Sequence, residues 1–324
     1  MSDARLKLPR ATYRIQFRSG FTLRSAIDLI PYLSELGISH LYASPLLLAM
    51  FGSTHGYDVF DFEQLDPDLG TEEDLEELAK TLHKNHMGLV LDIVPNHMGI
   101  GGSQNRWWWD VLKHGQKSQF APYFDIDWKS PDPRLHGKIL APVLGDRYET
   151  VLAKGEIRLD YDKDELILRY HEHTFPVNPN SIEIKEDTIY TINTEPDLLD
   201  QLIQKQNYRL TFYEHGPKEL NYRRFFNIIT LAGVRVEDPQ GFKEAHAPII
   251  HWTEKGLIDG LRVDHPDGLR DPEQYLRRLH EVTPDAWIVV EKILEPGEDL
   301  PVTWPVDGTT GYDFMNRVQA VFVN

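Results

Sequence analysis

Strand-like and helix-like segments alternate in the first part of the sequence, and this alternation restricts the fold more than any other feature. Three short apolar segments are predicted to be strands: residues 13–17, 40–45 and 89–94. Two amphipathic segments between them, residues 23–36 and 72–87, are predicted to be helices with Thr22 and Thr71 as N-caps. The order of strand, helix and strand indicates a parallel sheet.

A long segment interrupts this alternation after the third strand. From residue 99 to about residue 237 the sequence is aromatic, proline-rich and irregular, which indicates an inserted subdomain. The alternation then resumes with a helix, a strand, a helix and a strand at residues 242–255, 258–264, 272–282 and 287–293. We therefore assign strands 1–3 to residues 1–98, the insertion to residues 99–237, and strands 4–5 with the following segment to residues 238–324.

Acidic residues near the ends of the strands favour one of the two folds that this order allows. The right-handed crossover rule fits either a doubly wound sheet or a (β/α)8 barrel. Asp92, Asp264 and Glu291 each lie near the C-terminal end of a different predicted strand, where barrel enzymes place their chemistry. We predict an α/β fold of the (β/α)8 TIM-barrel type. Only about five strands are evident, and the 33 residues after Glu291 cannot hold three more units, so we expect a barrel that ends before closure.

The balance of charged residues restricts the partners of the protein. Acidic side chains number 51 and basic ones 34, which gives a formal net charge of −17. Phosphate-rich partners require a basic contact surface, so we expect neither nucleic acid nor an anionic membrane as a partner. The absence of cysteine excludes disulfides and thiolate ligands. No segment approaches the roughly 18 apolar residues of a membrane span, and no secretion signal is evident, so the expected location is the cytoplasm.

Asp264 in GLRVDHPDG and Glu291 in VVEKILEPGE are the strongest catalytic candidates. Two carboxylates about 5 Å apart on rigid strands suit retaining glycoside chemistry, in which one attacks the anomeric carbon and the other transfers a proton. Arg262 lies on the same strand face as Asp264, where its guanidinium can bind that carboxylate and keep it ionised. The simpler alternative is that these acids cap helices or pair with Lys292 and Arg270.

Further candidates for contact with a sugar lie on the loops after the second and third strands. Tyr57 and Asp58 occur in HGYDV, and Asp92 and His97 occur in DIVPNHM. A neutral His97 could donate to a sugar hydroxyl, and Tyr57 could stack on a pyranose ring, although an ordinary loop histidine is the alternative for His97. Arg262 and His265 complete the predicted substrate-binding set.

Other histidines and tryptophans carry weaker signals. His171 and His173 share one face of a predicted strand, but two ligands without a third favour a solvated sheet face, and we predict no metal site. Trp107, Trp108 and Trp109 are adjacent and cannot share one face. We therefore expect them to lie partly in the core, with one of them a candidate for a sugar subsite.

Three motifs in successive strands, DIVPNH, GLRVD and VVEK, resemble signature regions of the α-amylase family of glycoside hydrolases. Longer stretches resemble one subfamily, the maltooligosyl trehalose synthases or (1→4)-α-D-glucan 1-α-D-glucosylmutases: NHMGIGGSQNRWWWDVLKHGQ, FAPYFDIDW, APVLGDRYETVL, LNYRRFFNI and WPVDGTTGYDF. This resemblance extends from about Tyr13 to the last residue.

The resemblance implies a role for most of the candidates. It makes Asp264 the nucleophile and Glu291 the general acid/base. It places the other residues around the transferred sugar: Arg262 and His97 beside it, Tyr57 as the aromatic platform beneath it, and Asp92 as a hydrogen-bonding acid.

Two departures from the family pattern are visible. Asn227 and Ile228 occupy positions where the family has an aspartate-containing sequence. The fourth family signature, a His-Asp pair that supplies a third essential carboxylate, would lie beyond Asn324. From this second departure we expect the 324-residue chain alone to be inactive.

The activity implied is an intramolecular transglycosylation that needs no cofactor. A maltooligosaccharide or α-1,4-glucan substrate would have its reducing-end α-1,4 bond converted to an α,α-1,1 bond, and a maltooligosyltrehalose trehalohydrolase would be the implied pathway partner. The alternatives are an α-amylase-type hydrolase or glucan transferase, and a glucan-binding fragment without catalysis.

Overall fold

The computed structural model describes residues 8–18, 20–183 and 188–323, which form two compact units. The first unit contains the chain up to His97 and from Arg235 onward, and the second contains Met98–Val234. Each unit has a buried core of its own, described below.

The first unit is built on one parallel sheet of six strands in sequential order. The strands are β1 (Thr12–Ile15), β2 (His40–Ala43), β3 (Gly88–Ile93), β4 (Gly260–Val263), β5 (Trp287–Val290) and β6 (Gly308–Thr309). Every neighbouring pair is parallel. This is the sheet of an incomplete (β/α)8 barrel, as predicted, with one strand more than the sequence indicates. The strand β6 has only two residues, too few to form an apolar pattern.

Six helices accompany this sheet: α1 (Leu23–Ile27), α2 (Ile30–Glu35), α3 (Glu72–Lys84), α4 (Pro239–Glu254), α5 (Pro272–Val282) and α6 (Tyr312–Phe322). As predicted, Thr22 and Thr71 cap α1 and α3, and the structure shows that both form capping boxes. The predicted single helix over residues 23–36 is wrong, because it is divided into α1 and α2. Pro31 lies in the first turn of α2, and proline disfavours continuation of a preceding helix because it lacks the N–H and crowds the turn before it.

Between β2 and α3 the chain forms an antiparallel pair of short strands, Leu47–Ala49 and Val59–Leu65. The loop between these two strands carries Tyr57 and Asp58. The sequence predicts the loop but not the two strands, whose pairing contains register shifts.

One histidine of the first unit is fully buried in a polar contact between two helices. His246 of α4 lies with one ring nitrogen 2.8 Å from the Phe242 carbonyl and the other 2.8 Å from the Tyr275 hydroxyl of α5. Burial is the main cause that lowers the pKa of His246 to about 4. The folded protein therefore holds this imidazole neutral at pH values where an unfolded histidine is already charged.

We expect His246 to make the protein acid-sensitive in a defined pH range. The pKa of His246 in the folded protein is lower than the unfolded value of about 6.5, so the unfolded chain binds more protons below that pH. The free energy of unfolding therefore has its full value above pH 6.5 and decreases by about 3 kcal/mol in all as the pH falls toward 4. Urea unfolding at pH 7, 6, 5 and 4 should show this decrease as a difference between the original protein and His246→Gln. The exposed His280→Gln is the matched control. Parallel pH profiles for His246→Gln and the original protein would contradict the expectation.

The second unit combines short strands and helices around an aromatic core. Its strands within the described residues are Ile139–Leu144, Ile157–Asp162, Glu165–Tyr170, His173–Pro176, Tyr208–Phe212, Arg224–Phe225 and Ile228–Gly233, and the short strand His97–Gly99 joins the last two in one sheet. Its α-helices are Arg106–His114, Tyr148–Ala153, Thr188–Thr194, Pro196–Gln204 and Gly216–Glu219. Short 3₁₀ turns are formed by Gly115–Lys117, Ala121–Tyr123, Pro133–Leu135 and Tyr213–His215. One more, Pro266–Gly268, belongs to the first unit.

The adjacent tryptophans of the second unit divide as the sequence predicts. Trp107 and Trp108 are buried, with Trp107 stacked on Phe120 and Trp108 edge-on to Tyr222. Trp109 is less buried, and its indole N–H donates to a carboxylate oxygen of Glu165 at 3.0 Å. The core of this unit therefore depends on two of the three rings.

The two histidines of the sequence RYHEHTF have accessible side chains, with 58% of His171 and 40% of His173 exposed. No group of three or more metal-ligating side chains occurs in the part of the chain that the structure describes. Among the same residues, no helix has the length and apolar character needed to cross a membrane.

Candidate active site

Three neighbouring strands of the first unit bring the predicted catalytic carboxylates together. Asp92 lies within β3, while Asp264 and Glu291 directly follow β4 and β5. Arg262 of β4 is opposite Asp92 in the register of the sheet. Because parallel strands present their carboxyl ends at one edge, these side chains meet although they are far apart in the sequence.

The guanidinium of Arg262 contacts all three carboxylates. Its Nη1 donates to Oδ1 of Asp92 and to Oδ1 of Asp264, both at 2.7 Å, and its Nη2 lies 2.9 Å from Oε1 of Glu291. The predicted hydrogen bond between Arg262 and Asp264 is therefore confirmed. Arg262, Asp92 and Asp264 are almost completely buried, whereas 30% of the Glu291 side chain is exposed.

The simpler alternative for the two acids does not describe this structure. Lys292 turns to Asp267 and Glu298, at 3.2 and 3.1 Å. Arg270 lies 3.7 Å from Glu237. The acids are thus held by the internal arginine and not by the neighbouring surface cations.

The charges of this cluster do not balance, and this affects its protonation. Three carboxylates share one guanidinium, so the group would carry two negative charges if every acid were ionised. Burial and the repulsion from Asp92 and Glu291 raise the pKa of Asp264 to about 7, against the attraction of Arg262. Because the acids interact strongly, the cluster as a whole takes up a proton near neutral pH.

Arg262 itself stays charged. Burial opposes its charge, but the attraction of the surrounding carboxylates, Asp92 first, is stronger and raises its pKa above the usual value. A permanent cation at this position allows the acids to be buried without being fully neutralised.

Asp92 is held on its other side by two phenols. Its Oδ2 accepts hydrogen bonds from the hydroxyls of Tyr42 at 2.9 Å and Tyr57 at 2.5 Å. Burial is the main cause that raises the pKa of Asp92, while Arg262 and both tyrosines oppose it. Burial followed by the charge of Asp92 raises the pKa of Tyr57, so both phenols act as donors.

Strand β1 supplies residues that sequence reasoning missed. Arg14 donates to the Tyr57 hydroxyl at 3.0 Å and lies over the ring of Tyr42. Gln16, two residues further along the strand direction, donates to the His55 carbonyl at 2.8 Å. The signal available in the sequence was polar residues at alternate positions of the apolar segment YRIQF, which places them on one face.

The remaining predicted site residues lie at different distances from the carboxylates. His97 is buried, with one ring nitrogen 3.1 Å from the Tyr57 carbonyl and the other 3.2 Å from the Asn96 amide. In this arrangement Nε2 carries the proton and donates to Tyr57, and not to a ligand. The Asp58 carboxylate accepts a hydrogen bond from the Ser53 hydroxyl, and its Oδ1 lies 3.8 Å from Nδ1 of His55.

His265 contacts the carboxylate cluster through its backbone. Its N–H donates to Oε2 of Glu291 at 3.0 Å. The structure therefore brings together Arg262, Asp92, Asp264, Glu291, Tyr57 and His265, with His97 joined to them through Tyr57. Asp58 is the one predicted residue whose described contacts lie within its own loop.

Comparison with known proteins shows similarity to the α-amylase family and to maltooligosyl trehalose synthases. Residues 18–168 match the profile of the α-amylase catalytic domain. A curated protein of Mycobacterium tuberculosis, named as a maltooligosyl trehalose synthase, is 44% identical over 321 residues, which cover 97% of the chain and 38% of that protein. An intracellular maltogenic amylase of Bacillus subtilis is 36% identical over 107 residues, or 33% of the chain and 17% of the amylase.

A solved structure agrees with these sequence relationships. The maltooligosyltrehalose synthase from Arthrobacter ramosus superposes with a TM-score of 0.86 at 44% identity, over 98% of the chain and 39% of that enzyme. The chain thus spans about two fifths of the length of the relatives that it matches along nearly all of its own sequence.

Proposed function

Because the chain belongs to the α-amylase family, we propose that it supplies the first part of the catalytic barrel of a (1→4)-α-D-glucan 1-α-D-glucosylmutase. In this proposal residues 1–98 and 238–324 form barrel strands and residues 99–237 an inserted subdomain. The substrate is a maltooligosaccharide, and the product carries an α,α-1,1 bond at its former reducing end. A hydrolase that releases the terminal disaccharide would consume that product.

One observation carries the proposal. Asp264 and Glu291 follow adjacent strands and are bound by the two terminal nitrogens of one buried arginine. With two carboxylates fixed in this way, one can attack an anomeric carbon while the other exchanges a proton with the leaving group, as retaining glycoside chemistry requires. The similarity to maltooligosyl trehalose synthases supports the choice of substrate and product.

In the first step, Asp264 attacks the anomeric carbon of the last α-1,4 linkage. Glu291 protonates the glycosidic oxygen as the bond to it breaks, and free glucose is left beside a covalent glucan–enzyme ester. Arg262 keeps Asp264 oriented and favours its ionised form against the effect of burial. The cluster supplies the transferred proton, since it holds one near neutral pH.

In the second step, the retained glucose presents its anomeric hydroxyl to the same carbon. Glu291, now ionised, removes the hydroxyl proton, the ester to Asp264 breaks, and the α,α-1,1 bond forms. The numbers of atoms and protons are unchanged over the two steps. Water must be kept from the ester, because water at that point would give hydrolysis.

A hydrolase or glucan transferase is the second candidate function. The similarity to the maltogenic amylase over a third of the chain supports it, and the same two carboxylates would serve. A non-catalytic glucan-binding role uses the same surface without the chemistry.

Product analysis distinguishes these functions. The complete reading frame that encodes this chain, purified and incubated with maltopentaose, should remove reducing ends without releasing an equal amount of glucose. Glucose and shorter maltooligosaccharides as the main products would support the hydrolase. Binding without turnover would leave only the glucan-binding role.

Replacing the proposed general acid should slow turnover most for substrates whose leaving group must be protonated. Glu291→Gln cannot protonate the glycosidic oxygen, so turnover of maltopentaose should fall on the order of 10³-fold. A maltooligosyl fluoride needs no such protonation, and its first step should fall by less than about tenfold. Glu298→Gln, at a partly exposed partner of Lys292, is the control. Equal losses on both substrates would contradict the assignment of Glu291.

A further inference from the structure

The loop after β4 contains a residue in an unfavourable backbone conformation next to the catalytic pair. His265 has φ of 43° and ψ of 55°, in the left-handed region that favours glycine. At such angles the Cβ atom of a side chain comes too close to the following carbonyl oxygen. Strain of this kind persists where the surrounding contacts enforce it, and it is concentrated at functional sites.

This conformation ends the strand and redirects one backbone donor. The N–H of Glu291 still bonds to the Val263 carbonyl at 2.9 Å, as in a continuing parallel sheet. The Asp264 N–H bonds to the Ile93 carbonyl on the other side of the strand. On the side that faces β5, the next donor is the N–H of His265, and it bonds to the Glu291 carboxylate instead of a backbone carbonyl. The chain turns away immediately afterwards, in the 3₁₀ turn Pro266–Gly268.

The His265 ring lies so close to Gly268 that residue 268 has no room for a methyl group. The N–H of Gly268 bonds to the His265 carbonyl at 3.1 Å. A Cβ atom at Gly268 would lie 2.3 Å from Cδ2 of His265 and 2.7 Å from Oδ1 of Asn96. The φ of Gly268 is not in the left-handed region, so glycine is needed here for the close approach and not for its backbone freedom.

We propose that His265 is a positioning residue for Glu291, and that its left-handed backbone, held by the turn to Gly268, directs its N–H to Oε2 and so fixes the orientation of this carboxylate. This inference deepens the proposed function and rests on it, because it concerns the general acid of that reaction. It assigns the role to the backbone of His265, and not to the imidazole.

Each carboxylate oxygen of Glu291 faces one donor. Its Oε2 accepts a hydrogen bond from the His265 N–H at 3.0 Å. In this structure Oε1 faces the Nη2 of Arg262, which is also a donor. Loss of the His265 N–H would therefore remove one of the two donors that stabilise the charged form of Glu291.

The charged groups around Glu291 come from three strands. Arg262 and Asp264 face it from β4, and Asp92 belongs to the same cluster from β3. Lys292, its neighbour in sequence, pairs with Asp267 and Glu298. A change in the His265 N–H alone therefore leaves each of these charges present.

Two substitutions at one position separate the backbone from the side chain. His265→Gly removes the imidazole but keeps the left-handed conformation accessible, whereas His265→Val disfavours that conformation strongly. In His265→Val the charged form of Glu291 loses the N–H donor and becomes less stable. The fall of kcat/KM on maltopentaose at high pH, which is the basic limb of the profile, should therefore move upward by about one pH unit. The limb should stay in place in His265→Gly, whatever the change in KM. Equal shifts in both variants, or none in His265→Val, would overturn the proposal.

A milder variant and a structural measurement make the test independent of folding and turnover. Gly268→Ala should shift the same limb in the same direction, by less than His265→Val. Crystal structures should retain the bond from residue 265 to Glu291 in His265→Gly and lose it in His265→Val. If the unaltered protein lacks turnover, the proposed function fails, while the structures still decide on the positioning contact.

Discussion

Replacing Asp264 with asparagine is expected to reduce turnover on the order of 10⁴-fold or more, the largest loss of any single substitution in this protein. Asparagine has almost the same shape and can still accept a hydrogen bond from Arg262. Its amide, however, is too weak a nucleophile to form the glycosyl ester. Transfer and hydrolysis share that ester, so the loss should be the same whichever of the two activities the complete protein has.

The loss can be measured as initial rates on maltopentaose and as trapping of the ester. A fluorinated maltooligosyl fluoride that forms the ester but releases it slowly should label Asp264 in the unaltered protein, as mass spectrometry of peptides would show. Asp264→Asn should remain unlabelled. The control is Asp267→Asn, three residues away, where 56% of the side chain is exposed and the partner is Lys292. Activity of Asp264→Asn within tenfold of the original would assign the nucleophile elsewhere.

Removal of the guanidinium should have the largest effect on stability. Arg262→Gln leaves Asp92 and Asp264 buried without their cation, and breaking a buried pair in this way costs about 3–5 kcal/mol. The loss should appear as a lower midpoint of urea unfolding at pH 8. Arg277→Gln, which breaks an exposed i,i+4 pair with Glu273, should change the free energy by less than about 1 kcal/mol.

The pH dependence of this destabilisation has a definite sign. Without Arg262, burial raises the pKa of both acids in the folded state above their unfolded values near 4, so the folded protein binds more protons than the unfolded chain. The variant should therefore be least stable at pH 8 and should approach the original protein as the pH falls toward 5. A constant difference between pH 5 and 8 would indicate that lost packing, and not uncompensated charge, is the cause.

The sequence was sufficient for the parallel sheet because its evidence is local. Each of the first five strands is a short apolar run next to an amphipathic helix, and both patterns can be read within about twenty residues. The strand β6 could not be found because two residues form no pattern. The division between α1 and α2 could have been found, since Pro31 is visible and proline disfavours a continuous helix.

The site was predictable where chemistry depends on residue type and not where it depends on contacts. Asp264 and Glu291 stand out as acids at strand ends, and Arg262 follows from the alternation of side chains along a strand. Nothing in the sequence connects Arg14 and Tyr42 with Asp92, because that connection exists only after β1, β2 and β3 have paired. The conformation of His265 likewise depends on packing that is remote in sequence.

The second unit affects how strands β3 and β4, which lie before and after it in the sequence, come to pair during folding. Ile93 and Val263 are register partners although 170 residues separate them, and pairing such distant residues requires a long loop to close. The strand His97–Gly99, where the chain enters the second unit, lies in the same sheet as Ile228–Gly233, so pairing of these strands already brings the two ends of the loop close together. The entropy cost of joining β3 to β4 then corresponds to a much shorter loop. Since that cost grows with the logarithm of loop length, the saving is about 0.6 kcal/mol for each halving, and it makes early folding of the second unit the favourable order.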